Sequence, residues 1–451
     1  MDQLNILDKK ILHILQNYPL EPFSSLANRL KPPISPQTMI RRVNGLQNRG
    51  ILRNSIASFV PERISLIRYG VVFNISQLHQ FTLLENAISE HNYIRAFNRF
   101  YGERFGIYAN FDLPHNTMQI FTKFLDYLVE EEYCDSYTIM KASGYRFDKP
   151  ESLPNYTQEP ETFDIIQFWE KRRDKAASLP RLPSAVDFDT IEPLHFLILR
   201  DITSHTQNGV EIGIRTKQTD LIEHYKQYYK HLGKKIKLKY PEEHYFACLK
   251  DFFDDRNGHN AKVDFGRKYY NVVRNHLVTN PRWNFERKLF EQNVTRAFII
   301  ENVPEKEKAQ IFRLLNEEKP PFSTGFELLN DGIFIRLSLP PYYDTKISYL
   351  IWSTFKEYSI YSLDFFGKHG MWWPFYIENF DWNAKDWRTD DDWMFNSVLT
   401  NIESKLKNHT YGDKNLHKDI ANGNGVNGHT NGNGSYLYKH MSNGKETVVT
   451  H

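Results

Sequence analysis

A nine-residue pattern of this chain returns in altered form, and any fold must accommodate both versions. Gly106-Ile-Tyr-Ala-Asn-Phe-Asp-Leu113-Pro114 returns as Gly332-Ile-Phe-Ile-Arg-Leu-Ser-Leu339-Pro340, a shift of 226 (332 − 106) without a gap. Around the second copy, Arg296 to Val303, Glu305 to Leu315 and Lys346 to Tyr358 supply a strand and two helices in the order found around the first. A second element matches at a shift of 227 (271 − 44), which sets Lys268 opposite Arg41, Asn271 opposite Asn44 and Val273 opposite Leu46. Two elements sharing nearly one offset point to duplication of a whole unit.

In the first unit, Arg68 to Ile75 is a β-branched and aromatic run, and Leu78 to Ile88 has helical period. Tyr93 to Phe100 and Phe105 to Phe111 read as strands joined by Gly102-Glu-Arg. Met118 to Val129 is a second amphipathic helix, and Tyr137 to Lys141 a last strand. Strand, helix, strand, strand, helix, strand predicts an antiparallel sheet with helices on one face.

Three short helices precede it. Leu7, Ile11 and Leu15 form one apolar stripe around Asp8, and Phe23, Leu26, Ala27 and Leu30 a second; Lys31-Pro-Pro breaks the chain before a third. The third helix opens with Ser35 as N-cap and Pro36 at the first position, and Gly50 ends it before a strand-like wing, Ile51 to Phe59. Met39, Val43 and Leu46 share its apolar face. Gln37, Arg41, Asn44 and Asn48 share another, at i, i+4, i+7 and i+11. Arg pairs bidentately with guanine in the major groove, and Gln and Asn with adenine. Thr38 belongs to the same helix start, and Arg42, Arg49 and Arg53 are placed to hold phosphates. Residues 1–64 hold nine Lys/Arg against four Asp/Glu, whereas the whole chain carries only +2. The positive charge is therefore concentrated where phosphates would be met. The competing reading is a small helical domain with solvated arginines that serves protein contacts.

Leu7-Asp8-Lys-Lys-Ile11-Leu-His-Ile-Leu15, Ser25-Leu26-Ala27, and Thr38-Met-Ile-Arg41-Arg42-Val43-Asn-Gly-Leu46 through Gly50-Ile51-Leu52 resemble the winged helix of the leucine-responsive/AsnC (Lrp/AsnC) regulators of bacteria and archaea. The resemblance implies an α+β chain: a winged helix-turn-helix followed by a ferredoxin-like βαββαβ domain, the pair duplicated in tandem. It also implies a sequence-specific transcription regulator bound to double-stranded DNA, not an enzyme, with no cofactor or metal. A small-molecule effector at the βαββαβ interface would fit the family. Its amino-acid sensors carry a Gly-x-x-Asp-like turn, however, and this chain has Gly102-Glu-Arg-Phe and Asn330-Asp-Gly there.

The expected organisation is a winged helix over 1–62, a βαββαβ domain over 63–147 and a Pro-rich linker over 148–188. A degenerate second winged helix with insertions over 189–293 and a second βαββαβ domain with an aromatic extension over 294–395 follow, then a disordered Asn/Gly-rich tail over 396–451. In the second winged helix Asp264 stands for Gln37 and Tyr269 for Arg42, while Lys268 and Asn271 keep it as a contact candidate. One good reader per chain predicts homo-oligomers on DNA. No copies of the first two helices sit at the expected distance; Ile191 to Ile202, Asp220 to Tyr229 and His244 to Phe253 are candidates.

Cys134 and Cys248 make neither a zinc site nor a disulfide framework, and no run of 18 apolar residues or signal peptide is visible, so the expected setting is the cytoplasm. Ile165-Ile-Gln-Phe-Trp169 reads as an apolar island docking from the linker. Lys171-Arg-Arg173 reads as a solvated charge run, and Lys234, Lys235, Lys237 and Lys239 as a strand with one basic face. Five of the eight tryptophans lie in Trp372 to Trp393, beside Asp390-Asp-Asp392. They suit a ligand pocket, a partner surface or, as the usual outcome, aromatic cover for the second sheet. One enzyme class resembles the same fold: the siroheme decarboxylases, also built from winged helix plus βαββαβ units. His91 and His276 favour it, and the complete row of base-reading side chains on the third helix argues against it.

Overall fold

Why the two copies interlock follows from their strand edges. In this computed structural model the described residues are 4–405, apart from 103, 150–162, 183, 204–211, 255–257, 275–276, 286–293, 319, 321 and 374. Helices α1 (Ile6–Asn17), α2 (Phe23–Arg29) and α3 (Pro36–Asn48) lead into strand β1 (Leu52–Phe59). Then come β2 (Leu66–Ile75), α4 (Gln80–Ser89), β3 (Ile94–Tyr101), β4 (Phe105–Pro114), α5 (Met118–Glu130) and β5 (Ser136–Lys149). Helix α6 (Ile165–Glu170) precedes α7 (Pro193–Ile202), α8 (Gln218–Gly233), α9 (Glu242–Asp254) and α10 (Gly258–Arg274), which lead into β6 (Val278–Phe285). Last are β7 (Val294–Glu301), α11 (Glu305–Glu317), β8 (Ser323–Leu329), β9 (Gly332–Leu339), α12 (Pro341–Thr354) and β10 (Ile360–Trp372). The molecule is thus mixed α+β with a large antiparallel sheet.

That sheet closes. Its order is β10-β3-β4-β2-β5-β8-β9-β7, a barrel in which β5 pairs with β8 and β10 with β3. An open four-stranded sheet leaves two rows of unpaired N–H and C=O groups, and each sheet here caps the other's. Outside the barrel, Phe121 of α5 packs on Phe111 of β4 with Phe124 beside it, and Phe81 of α4 lies against Tyr101 of β3, while α11 and α12 build a core with Phe298, Ile300, Ile333 and Ile335. Inside, Phe100, Met140, Ile299, Leu363 and Phe365 pack together, and Tyr108 stacks on Phe334 with centroids 4.8 Å apart. Beside this apolar band Asp112, fully buried, accepts two hydrogen bonds from Arg68 at 2.7 and 2.9 Å. Arg146 pairs with Glu62 and lies 3.8 Å from Glu327.

Strand β1 pairs antiparallel with β6, not with a strand of its own unit: Leu52 faces Phe285, Ile56 faces Arg282 and Phe59 faces Val278. Trp283 of β6 completes the core of α1–α3. Arg215, just before α8, donates to the carbonyls of Pro19 and Glu21 and lies over the rings of Phe23 and Trp283.

Several expectations need correction. The aromatic segment after β10 covers first-unit elements and α7, not the second sheet. Trp387 Nε1 donates to Ile64 O, Tyr93 Oη donates to Arg388 O at 2.7 Å, and Phe196 of α7 sits among Phe375, Phe380, Trp382 and Trp387. Asp390 accepts from Trp393 N–H at 2.9 Å, a helix-start cap. The helix so begun runs through residue 405 and buries Val398 and Ile402, so ordered chain continues past 396. Residues 234–240 are turn and irregular chain, not a strand. Trp169 does dock: it is buried and donates to Thr354 Oγ1 at 2.8 Å, while Lys171 and Arg173 pair with Glu318 and Glu170. Of the tail, 406–451 lies outside the described residues.

His91 predicts an acid sensitivity. Its ring is enclosed by Phe111, Phe121 and Phe124, its Nδ1 accepts from Tyr93 N–H at 3.1 Å, and burial lowers its pKa from 6.5 to about 3. The unfolded chain takes up this proton as pH falls through 6.5, and the folded chain does not until about 3. Stability is therefore complete above 6.5 and declines by about 1.4 kcal/mol per pH unit below it. His195, lowered to about 4 by burial and the Lys268 charge, adds to the slope. In denaturant titrations from pH 7 to 4, His91→Gln flattens the decline; an unchanged slope would refute the assignment to His91.

Candidate nucleic-acid interface

Helix α3 exists where its caps put it. Ser35 Oγ accepts from Thr38 N–H at 3.1 Å, Pro36 opens the helix, and Gly50, at φ +68, turns the chain so that Ile51 N–H reaches Leu46 O at 3.0 Å. A side chain at that φ would be strained, which is the reason for glycine. Met39, Val43 and Leu46 are buried against Ile11, Leu15 and Leu26. The opposite face is open: Gln37, Arg41, Asn44 and Asn48 are all exposed, and Ile40 beside them is 43% exposed.

The neighbouring arginines differ in role. Asp8 of α1 is buried and accepts from Arg49 at 3.1 Å and Arg42 at 3.4 Å. These two side chains, expected to hold phosphates, anchor α3 onto α1 and remain 38% exposed. Thr38 is half-buried, with its hydroxyl 2.9 Å from that of Ser35. Arg53 is exposed on β1. The structure therefore brings Gln37, Arg41 and Asn44 onto one open face, and turns Arg42 and Arg49 partly inward.

Helix α10 corrects the sequence reading. Lys268, expected on an outward face, is 5% exposed; its ammonium pairs with Glu192 at the start of α7 and lies 3.8 Å from Asp264 Oδ2. It cannot reach a duplex without leaving those carboxylates. Asn271 is half-buried. Behind α10 lies a cavity of 310 Å³ lined by Glu192, Leu194, His244, Cys248, Asp251 and Lys268. Burial raises the Cys248 thiol to about 11, although Leu194 N–H and Lys268 pull the other way. At neutral pH it stays a thiol, unsuited to nucleophilic attack.

A second cavity opens at one mouth of the barrel. It measures 130 Å³ and is lined by Asn74, Arg104, Thr138, Glu301 and Tyr361 over Phe100 and Ile299. Ordinary ligand pockets begin at about 300 Å³. Among the described residues no group of three metal-ligating side chains is placed to hold an ion, and no helix is long and apolar enough to cross a membrane. His91 is walled off from both cavities by its aromatic cage, and His276 lies outside the described residues.

No family model matches the sequence, and no curated protein matches it. Among solved structures, the siroheme decarboxylase NirDL is similar over 88% of this chain and 99% of its own, with TM-score 0.44 and 11% identity. An AsnC family transcriptional regulator from Agrobacterium tumefaciens is similar over 31% of this chain and 90% of its own, with TM-score 0.26 and 19% identity. A transcriptional regulator from Neisseria meningitidis, solved as an L-Met complex, gives 31% and 89%, TM-score 0.26 and 20% identity.

Proposed function

We propose that this chain is a sequence-specific double-stranded DNA-binding regulator of transcription of the Lrp/AsnC type, with α3 as a reading helix. One observation carries the proposal: the row Gln37, Arg41, Asn44 and Asn48 stands exposed on a helix whose other face is buried and whose start and end are capped. A helix of this size fits the major groove, and those side chains match the donor and acceptor patterns of guanine and adenine. Arg53 and the exposed part of Arg49 supply phosphate contacts that set orientation. Pairing of the two βαββαβ sheets is internal to the chain, and the barrel mouth is the place for a small effector, at most a few atoms in size.

The test is a mobility-shift titration of the full chain on duplexes enriched from a random pool, repeated at several salt concentrations. Specific binding with a negative slope of log K against log salt is expected. Absence of any enriched duplex, together with visible absorbance of a tetrapyrrole in the purified protein, would sink the proposal in favour of the decarboxylase-like alternative.

A further inference from the structure

We infer that α10 is a second DNA reader with its own base preference, so that a single chain grips one site whose two halves differ. The inference rests on DNA reading by α3.

Burial, not polar likeness, sets how the two helices correspond. The core face of α3 is Met39, Val43 and Leu46; in α10 the inward residues are Phe265, Tyr269 and Val272, each 226 later (265 − 39). The same shift carries β1, Leu52–Phe59, onto β6, Val278–Phe285, and Gly106 onto Gly332. At 226, one residue short of the shift chosen from polar matches, Arg41 corresponds to Arg267, Gln37 to Val263 and Asn44 to Tyr270. All three α10 residues are open to solvent: the Arg267 side chain is 72% exposed, Val263 64% and Tyr270 47%.

The buried Lys268 then loses its force as evidence against reading. It corresponds to Arg42, and each pairs with an acid from the first helical segment of its own unit: Arg42 with Asp8 of α1, Lys268 with Glu192 at the start of α7. Helix α1 packs against β6 and α7 against β1, the reciprocal relation expected of counterparts. Asp264, an apparent source of phosphate repulsion, is 8% exposed and lies between Lys268 and Arg267, whose Nη2 donates to it at 2.6 Å. That bond steadies the guanidinium and leaves most of it exposed.

The strand register relates the two helices. Ile56 faces Arg282, its own counterpart (56 + 226), so a local two-fold axis passes between them. Helices α3 and α10 precede β1 and β6 and fall on opposite sides of that axis, as the two heads of a dimeric reader do. Their chemistry differs. On α3, Arg41 suits guanine and Gln37 and Asn44 suit adenine; on α10, Arg267 suits guanine and Val263 suits a thymine methyl.

The experiment is selection from a randomised duplex pool with the full chain and with Arg41→Ala and Arg267→Ala. The expected motif has two unlike halves, centred about one helical turn (~10 bp) apart, bound by one chain per duplex. Arg41→Ala flattens a position in one half only. Arg267→Ala flattens a position in the other and weakens binding ~tenfold or more. If Arg267→Ala selects the same motif with the same affinity, or the motif is a true palindrome bound by two chains, α10 is not a reader, while the Arg41 dependence stands. If the pool yields no motif, DNA reading by α3 falls as well.

Discussion

An Arg68→Met variant unfolds about 3–5 kcal/mol more easily than the parent chain. Asp112 is fully buried, and Arg68 supplies both of its charge-assisted hydrogen bonds. Arg68 is the strongest of the charges that hold the carboxyl below its ordinary value against the opposing effect of burial; Arg146 and Arg95 act from farther off. Removing the guanidinium leaves a carboxylate that must stay charged in a dry interior or take up a proton. The double variant Arg68→Met with Asp112→Leu regains most of the loss, because it removes the charge along with its partner. Guanidinium titrations of the single and double variants decide the matter. A single-variant loss under about 1 kcal/mol would mean that water reaches Asp112.

Arg41→Ala costs the complex ~1–3 kcal/mol, about fivefold to 150-fold in affinity, and relaxes one base pair. The stability of the free protein should not move, because Arg41 is exposed and the core of α1–α3 lies on the opposite side of the helix. Arg42→Ala behaves in the opposite way: it loosens α3 from Asp8 and shows first in thermal unfolding. Competition assays on matched and mismatched duplexes, beside melting curves, separate the two. Full discrimination retained by Arg41→Ala together with Gln37→Ala would remove α3 as the reader.

Local chemistry made α3 legible: Ser35, Pro36 and Gly50 mark its ends, and the apolar positions fall on one face. The order of strands and helices around Gly106 and Gly332 was legible for the same reason, because each strand buries one side under helices. Register and distant contacts were harder. Matching Lys268 to Arg41 followed charge, yet burial determines which residues are counterparts, and Phe265, Tyr269 and Val272 move the shift to 226. Helix α7, one of three candidate copies in the sequence, could not be singled out as the counterpart of α1 because residues 203–241, including α8, intervene before α9 and break the constant spacing. The aromatic segment's target depended on Ile64, Tyr93 and Phe196, separated from it in sequence by well over a hundred residues. No periodicity within 372–393 encodes such partners.

The closed barrel has a thermodynamic consequence. A regulator assembled from two separate chains gains stability from association, so dilution weakens it by mass action. Here both sheet seams and the β1–β6 pairing join parts of one polypeptide, and the partner's local concentration is set by chain length alone. Melting temperatures measured over a hundredfold range of protein concentration should therefore coincide, and the half-life of the folded state should not depend on how many molecules a cell holds. A chain built this way can remain assembled at very low copy number, and each half can vary its surface without having to match a second gene product.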